Sequence, residues 1–108
     1  MSDDDKVPGA PSHRLRLFIA GSTIRSRQAI ENLRRICAEQ LDGKVDLEVI
    51  DIYQQPELAE RYQVIAAPTL VKLLPLPVRR IIGDLSETER VLRGLDLTPL
   101  QPPRDDPT

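Results

Sequence analysis

The sequence predicts one α/β domain with the element order βαβαββα, and three observations carry that prediction. An apolar run at residues 15–20 ends in Gly21 and gives way to a long stretch with helical periodicity. A second strand pattern, of period two, follows at residues 45–52, so strand and helix alternate as in a βαβ unit. Beyond Pro68 the apolar runs are short and broken by Pro75, Pro77 and Gly83, which suits two short strands and a closing helix.

Each element has its own justification. The run LRLFIA at 15–20 is apolar enough for a buried strand. Ser22, Thr23 and Ser26 offer side-chain oxygens to the orphan N–H groups of a helix start. Ile30, Leu33, Cys37 and Leu41, with Ile36 beside them, form a helix stripe, while Arg27, Glu31, Arg34, Arg35 and Glu39 take the opposite face. Gly43 is expected to supply the left-handed stop.

Val45, Leu47 and Val49 alternate with Asp46 and Glu48 in the second strand, and Val49-Ile50 is apolar on both sides, as for a strand in the middle of a sheet. Pro56 fits a first helical position, and the helix continues to Tyr62. The βαβ start implies parallel pairing through a right-handed crossover. Residues 64–74 suit strand or helix, interrupted by Pro68; Pro75-Leu76-Pro77 breaks the chain, and 78–82 reads as a short strand. After a turn at Gly83-Asp84, Ser86 and Glu89 make a capping box for a helix running to about Arg93. Both ends read as disordered tails: residues 1–13 are acidic, residues 98–108 proline-rich, and the folded body is 14–97.

Composition narrows the function. Lys and Arg number 15 against 17 Asp and Glu, a net charge of −2, and a dedicated nucleic-acid binder would show a basic surplus. Phe18, Tyr53 and Tyr62 are the only aromatics, too few for base stacking. No apolar run is long enough to span a membrane, and the acidic start is the reverse of a secretory signal, so a cytoplasmic location is expected. A single cysteine excludes an intrachain disulfide and a multi-cysteine metal site.

The order βαβαββα is that of thioredoxin-like folds, which place a thiolate in the loop after the first strand. Here that loop, residues 21–26, holds no cysteine, so thiol–disulfide exchange there is excluded. Cys37 reads as a small buried hydrophobe. Ala67-Pro68-Thr69 stands where such folds carry a cis-proline, and the sequence leaves the isomer open. Ser22 with nearby backbone amides offers an alternative, a glutathione-using enzyme, but a capping role explains the same residues. His13, at the tail boundary, has no companion for metal or general-base work. Arg34-Arg35 and Arg79-Arg80 are basic pairs, and the second is a candidate for an acidic patch on a partner.

A long resemblance adds to this reading. The segment 56–60 (PELAE), the run 67–86 (APTLVKLLPLPVRRIIGDLS), residues 94–97 (GLDL) and the first strand and loop, 17–23 (LFIAGST), resemble the KaiB family over about 15–97. The resemblance implies a non-enzymatic component of a circadian clock, without cofactor or metal, that binds the ATPase ring of KaiC, recruits KaiA and displaces a thioredoxin-like sensor histidine kinase. It also implies a metamorphic fold, in which a ground state of order βαββααβ, usually a homotetramer, exchanges with a thioredoxin-like monomer that binds KaiC. On that basis Lys72, Arg79 and Arg80 are the expected partner-binding residues, and Pro68, Pro75, Pro77, Gly94 and Asp96 the expected fold-switch positions. Gln28 and Glu48 stand where clock proteins of this family usually carry arginine and lysine. A KaiB-like partner of a KaiC homologue, in a timer or stress role, therefore fits better than a driver of a self-sustained oscillator. A stand-alone histidine-kinase regulator is the remaining alternative.

Overall fold

The computed structural model describes residues 11–98, and its elements follow the expected order. They are β1 (His13–Ile19), α1 (Ile24–Gln40), β2 (Val45–Asp51), α2 (Pro56–Arg61), β3 (Thr69–Leu74), β4 (Arg79–Ile82) and α3 (Thr88–Gly94). The two expected tails lie mostly outside the described residues. The body begins earlier than Arg14, however: His13 opens β1 opposite Val45, and the Ser12 N–H donates to the Lys44 carbonyl at 2.8 Å.

The four strands form one sheet in the order β2-β1-β3-β4. β1 and β2 are parallel, while β3 runs antiparallel to both β1 and β4. β2 is thus an edge strand and not a central one. Its Val49-Ile50 pair is apolar on both sides because the edge is covered from both faces: Val45 and Leu47 pack against the larger core, and Ile50 belongs to the smaller one.

Alternation along β1 divides these cores. Leu15 and Leu17 face α1 and α3, where they join Ala29, Leu33, Ile36, Leu70, Val91, Leu92 and Leu95. Each fully buried Leu or Ile in this layer contributes roughly 1.5–3 kcal/mol of transfer free energy. Phe18 faces the other way, meets Ile50 and Val71, and is covered by Leu58, Tyr62 and Val64. The Phe18 and Tyr62 rings are tilted by 54° with centroids 5.5 Å apart, a favourable aromatic geometry.

Thr23 is the cap of α1: its Oγ1 accepts the Ser26 N–H at 3.1 Å. The helix does not stop on Gly43. It ends at Gln40, because Leu41 leaves in an extended conformation to bury itself in the core. Gly43, at φ +85°, serves the turn before β2 instead, where a Cβ would lie 2.5 Å from the Ser12 hydroxyl. Pro56 does occupy the start of α2, whose first turn carries Glu57.

The capping box expected at Ser86 and Glu89 does not form. Leu85 turns into the core at φ +64°, and the Asp84 carboxylate accepts the Ser86 N–H at 3.1 Å. That local turn holds Ser86 outside the helix, which begins at Thr88 with no side-chain cap on Glu87. The C-terminus of α3 is closed well. The Leu97 N–H donates to the Leu92 carbonyl at 2.8 Å, and the Asp96 N–H to the Arg93 carbonyl at 3.1 Å. With Leu92 and Leu97 both in the core and Asp96 at φ +55°, this is a Schellman motif carrying aspartate at its left-handed position.

Candidate functional site

The residues picked from the sequence converge on the β3–β4 hairpin. Its register sets Lys72 opposite Arg79 and Val71 opposite Arg80. Both arginines are exposed. Arg80 donates to the Gln63 carbonyl at 3.0 Å, and Arg79 reaches the Val78 carbonyl at 3.5 Å. Among the described residues neither guanidinium meets a carboxylate. Other arginines differ: Arg14 and Arg16 pair with Asp46, and Arg16 with Glu48, at 3.0–3.3 Å. Glu48, one of the departures from the clock pattern, is exposed on the β2 edge but paired with Arg16, while Gln28 is exposed on α1.

Lys72 does not join that surface. Its side chain is fully buried and its Nζ has no hydrogen-bond partner. Burial pushes the ammonium below its usual pKa range, the Asp96 carboxylate pulls it back up, and Arg79 pushes it down further. As a surface charge waiting for a partner, Lys72 is corrected to a buried one lying behind Arg79. His13 shares this end of the sheet. Burial lowers its pKa below 6.5, Lys72 lowers it further, and Asp42 opposes them.

The loop after β1 is occupied with structure. The Gly21 N–H donates to the Asp51 carboxylate at 3.3 Å, Tyr53 lies over Gly21, and Thr23 caps α1. Cys37 is half-buried against the larger core, and burial pushes its thiol up to about 11. It is protonated at neutral pH and a poor nucleophile. Sequence reasoning missed the exposed apolar side chains of Ile24, Tyr53 and Ile65. The signal for Tyr53 was a large apolar residue in a turn-forming stretch.

The expected switch positions fall into two groups. The Ala67-Pro68, Leu74-Pro75 and Leu76-Pro77 peptide bonds are all cis, which answers the question left open at Pro68. Pro68 is buried, and Pro75 and Pro77 are exposed in the β3–β4 connection. Gly94 is the last residue of α3, where an added Cβ would lie 3.1 Å from Ile81 Cδ1, and Asp96 follows two residues later. No helix among the described residues is long and apolar enough to cross a membrane, and no group of three or more His, Cys, Asp or Glu among them is placed to hold a metal ion.

Comparison with known proteins agrees with this architecture. A KaiB domain model matches residues 16–97. The chain is 52% identical over 85 residues to the circadian clock protein KaiB3 of Synechocystis sp., covering 79% of this chain and 83% of that one. It is 53% identical over 83 residues to the circadian clock oscillator protein KaiB of a Prochlorococcus marinus strain, covering 77% and 79%. Among solved structures, the N-terminal domain of Synechococcus elongatus SasA superposes with a TM-score of 0.65 at 23% identity, over 81% of this chain and 86% of that one. Mitochondrial thioredoxin 3 of Saccharomyces cerevisiae gives 0.63 at 20% identity, over 80% and 78%. The fold is thioredoxin-like.

Proposed function

We propose, from the premise that the chain belongs to the KaiB family, that it is a non-enzymatic clock or timer protein that docks on the ATPase ring of a KaiC-type protein. The observation that carries this reading is the exposed Arg79-Arg80 pair on β4, unneutralised within a body that matches the family from 16 to 97. The pair supplies the partner-binding charge, and Lys72, buried behind Arg79, does not reach the contact surface. A cytoplasmic location, and KaiA or a histidine kinase of the SasA kind as further partners, belong to the same reading.

The thioredoxin-like form is the binding-competent monomer in this proposal, and a tetrameric form of order βαββααβ is its reservoir. Pro68, Pro75, Pro77, Gly94 and Asp96 are the positions at which the two arrangements exchange, with a gap of a few kcal/mol between them. Support comes from the C-terminal half, where the apolar runs are short and Asp96 takes a left-handed conformation better suited to glycine.

The test is association kinetics between the full chain and a cognate KaiC-type ATPase. In an Arg79→Glu, Arg80→Glu double variant the association rate should fall by about tenfold at low salt, and its salt dependence should flatten. Unchanged rate and affinity would remove the pair from the interface.

A further inference from the structure

β4 is one of the two edges of the sheet, and its backbone is open on one side. The Gly83 N–H donates to the Pro68 carbonyl at 3.0 Å. Antiparallel alternation then turns the N–H and C=O groups of Ile81 and Arg79 toward β3 and leaves those of Arg80 and Ile82 facing outward. An unpaired row of this kind is a template for another strand unless the protein blunts it. The β2 edge is blunted by Asp46 and Glu48, which are held by arginines of β1. The charges on β4 are Arg79 and Arg80, and among the described residues no carboxylate engages them. Three of the six exposed large apolar side chains among the described residues, Leu76, Val78 and Ile82, lie on this strand or on its approach.

Charge decides what fits there. A second copy meeting β4 about a two-fold axis would set Arg79 and Arg80 against their own counterparts, and the acidic β2 of a copy has its carboxylates already engaged. Arg79 and Arg80 point to opposite faces of the sheet, so an incoming strand that alternates apolar residues and carboxylates lays its apolar side chains over Val78 and Ile82 on one face and sets its carboxylates against Arg79 on the other. We propose that the free edge of β4 takes up an extended acidic peptide segment of a partner protein as a fifth strand, bonded through the backbone of Arg80 and Ile82. This deepens the proposed function and rests on it only in naming Arg79 and Arg80 as partner-binding; the mode of recognition is strand addition.

The probe is a short synthetic peptide alternating Val and Glu, with a twin alternating Val and Lys, titrated into the full chain and followed by amide NMR. The acidic peptide should shift and protect the amides of Arg80 and Ile82 and leave those of β2 unchanged. Ile82→Pro deletes one outward donor and spares the bonds to β3, and it should weaken binding by about tenfold or more. Arg79→Glu with Arg80→Glu should reverse the preference toward the Lys twin, and it decides the matter should Ile82→Pro not fold. Failure of the acidic peptide to bind, protection on β2 instead, a folded Ile82→Pro variant of unchanged affinity, or self-pairing of the chain through β4 would each overturn the proposal. Capture of a KaiC-type ATPase by a chain whose β4 rejects the peptide overturns strand addition and leaves the proposed function standing. Peptide uptake without ATPase capture does the opposite.

Discussion

Lys72 is the least comfortable residue in the molecule. A buried ammonium without a hydrogen-bond acceptor keeps its desolvation cost and recovers little of it. Asp96 offers long-range attraction but makes no hydrogen bond to it, and Arg79 repels it. Lys72→Met keeps the length of the side chain and removes the charge, while exposed Asp96 stays hydrated. The variant should be more stable by about 1–3 kcal/mol, read as a higher urea midpoint at unchanged slope. A lower midpoint would mean that the ammonium has an acceptor in solution. The sequence showed Lys72 only as a charge in an apolar strand; that it points at the larger core follows from its register opposite Leu15, which periodicity alone does not fix.

At the level of elements, α3 shows most clearly what was legible and what was not. Its existence was inferred from the Ser86 and Glu89 spacing and holds, but its start does not. Ser86 and Glu89 have the right spacing for a capping box, and the buried, left-handed Leu85 overrides it. Gly43 failed as a helix stop for the same kind of reason, since the burial of Leu41 ended α1 first. The cap of α1 was readable as one of Ser22, Thr23 and Ser26, and the structure selects Thr23. The basic pair on β4 was visible as a pair, whereas the burial of Lys72 and the open edge needed the strand order. Gly94 gives the prediction at this scale. Gly94→Ala gains about 1 kcal/mol of helix propensity, reduced by the few tenths of an ångström that Ile81 must yield. The variant should therefore favour the thioredoxin-like form, seen by size-exclusion chromatography and NMR as a larger monomer fraction. More tetramer, or strand signals in residues 88–94, would contradict it.

For the whole molecule, three titrating groups shape stability against pH, and their signs differ. His13 has its pKa lowered below 6.5 in the fold, so the unfolded chain binds the proton better and stability falls as pH drops through 6.5. Lys72 is likewise lowered from 10.5, so its contribution rises as pH climbs from that depressed value toward 10.5. Cys37 is raised from 9.0 to about 11, and the stability it lends below pH 9 is lost as pH passes through that interval. The last two oppose each other. Urea midpoints of Lys72→Met should decline more steeply than those of the parent between pH 9 and 11, and parallel curves would show that Lys72 does not titrate there.

The two faces of the sheet are unequal. Twelve buried residues lock α1 and α3 to one side, while three lie beneath α2, a helix of six residues with none of its own fully buried. Lifting α2 uncovers only Phe18, Ile50 and Val71 and leaves the other layer closed. The molecule therefore comes apart in a set order, with a cheap partial opening on the α2 side well before the rest gives way, and the amides there exchange with solvent without waiting for global unfolding.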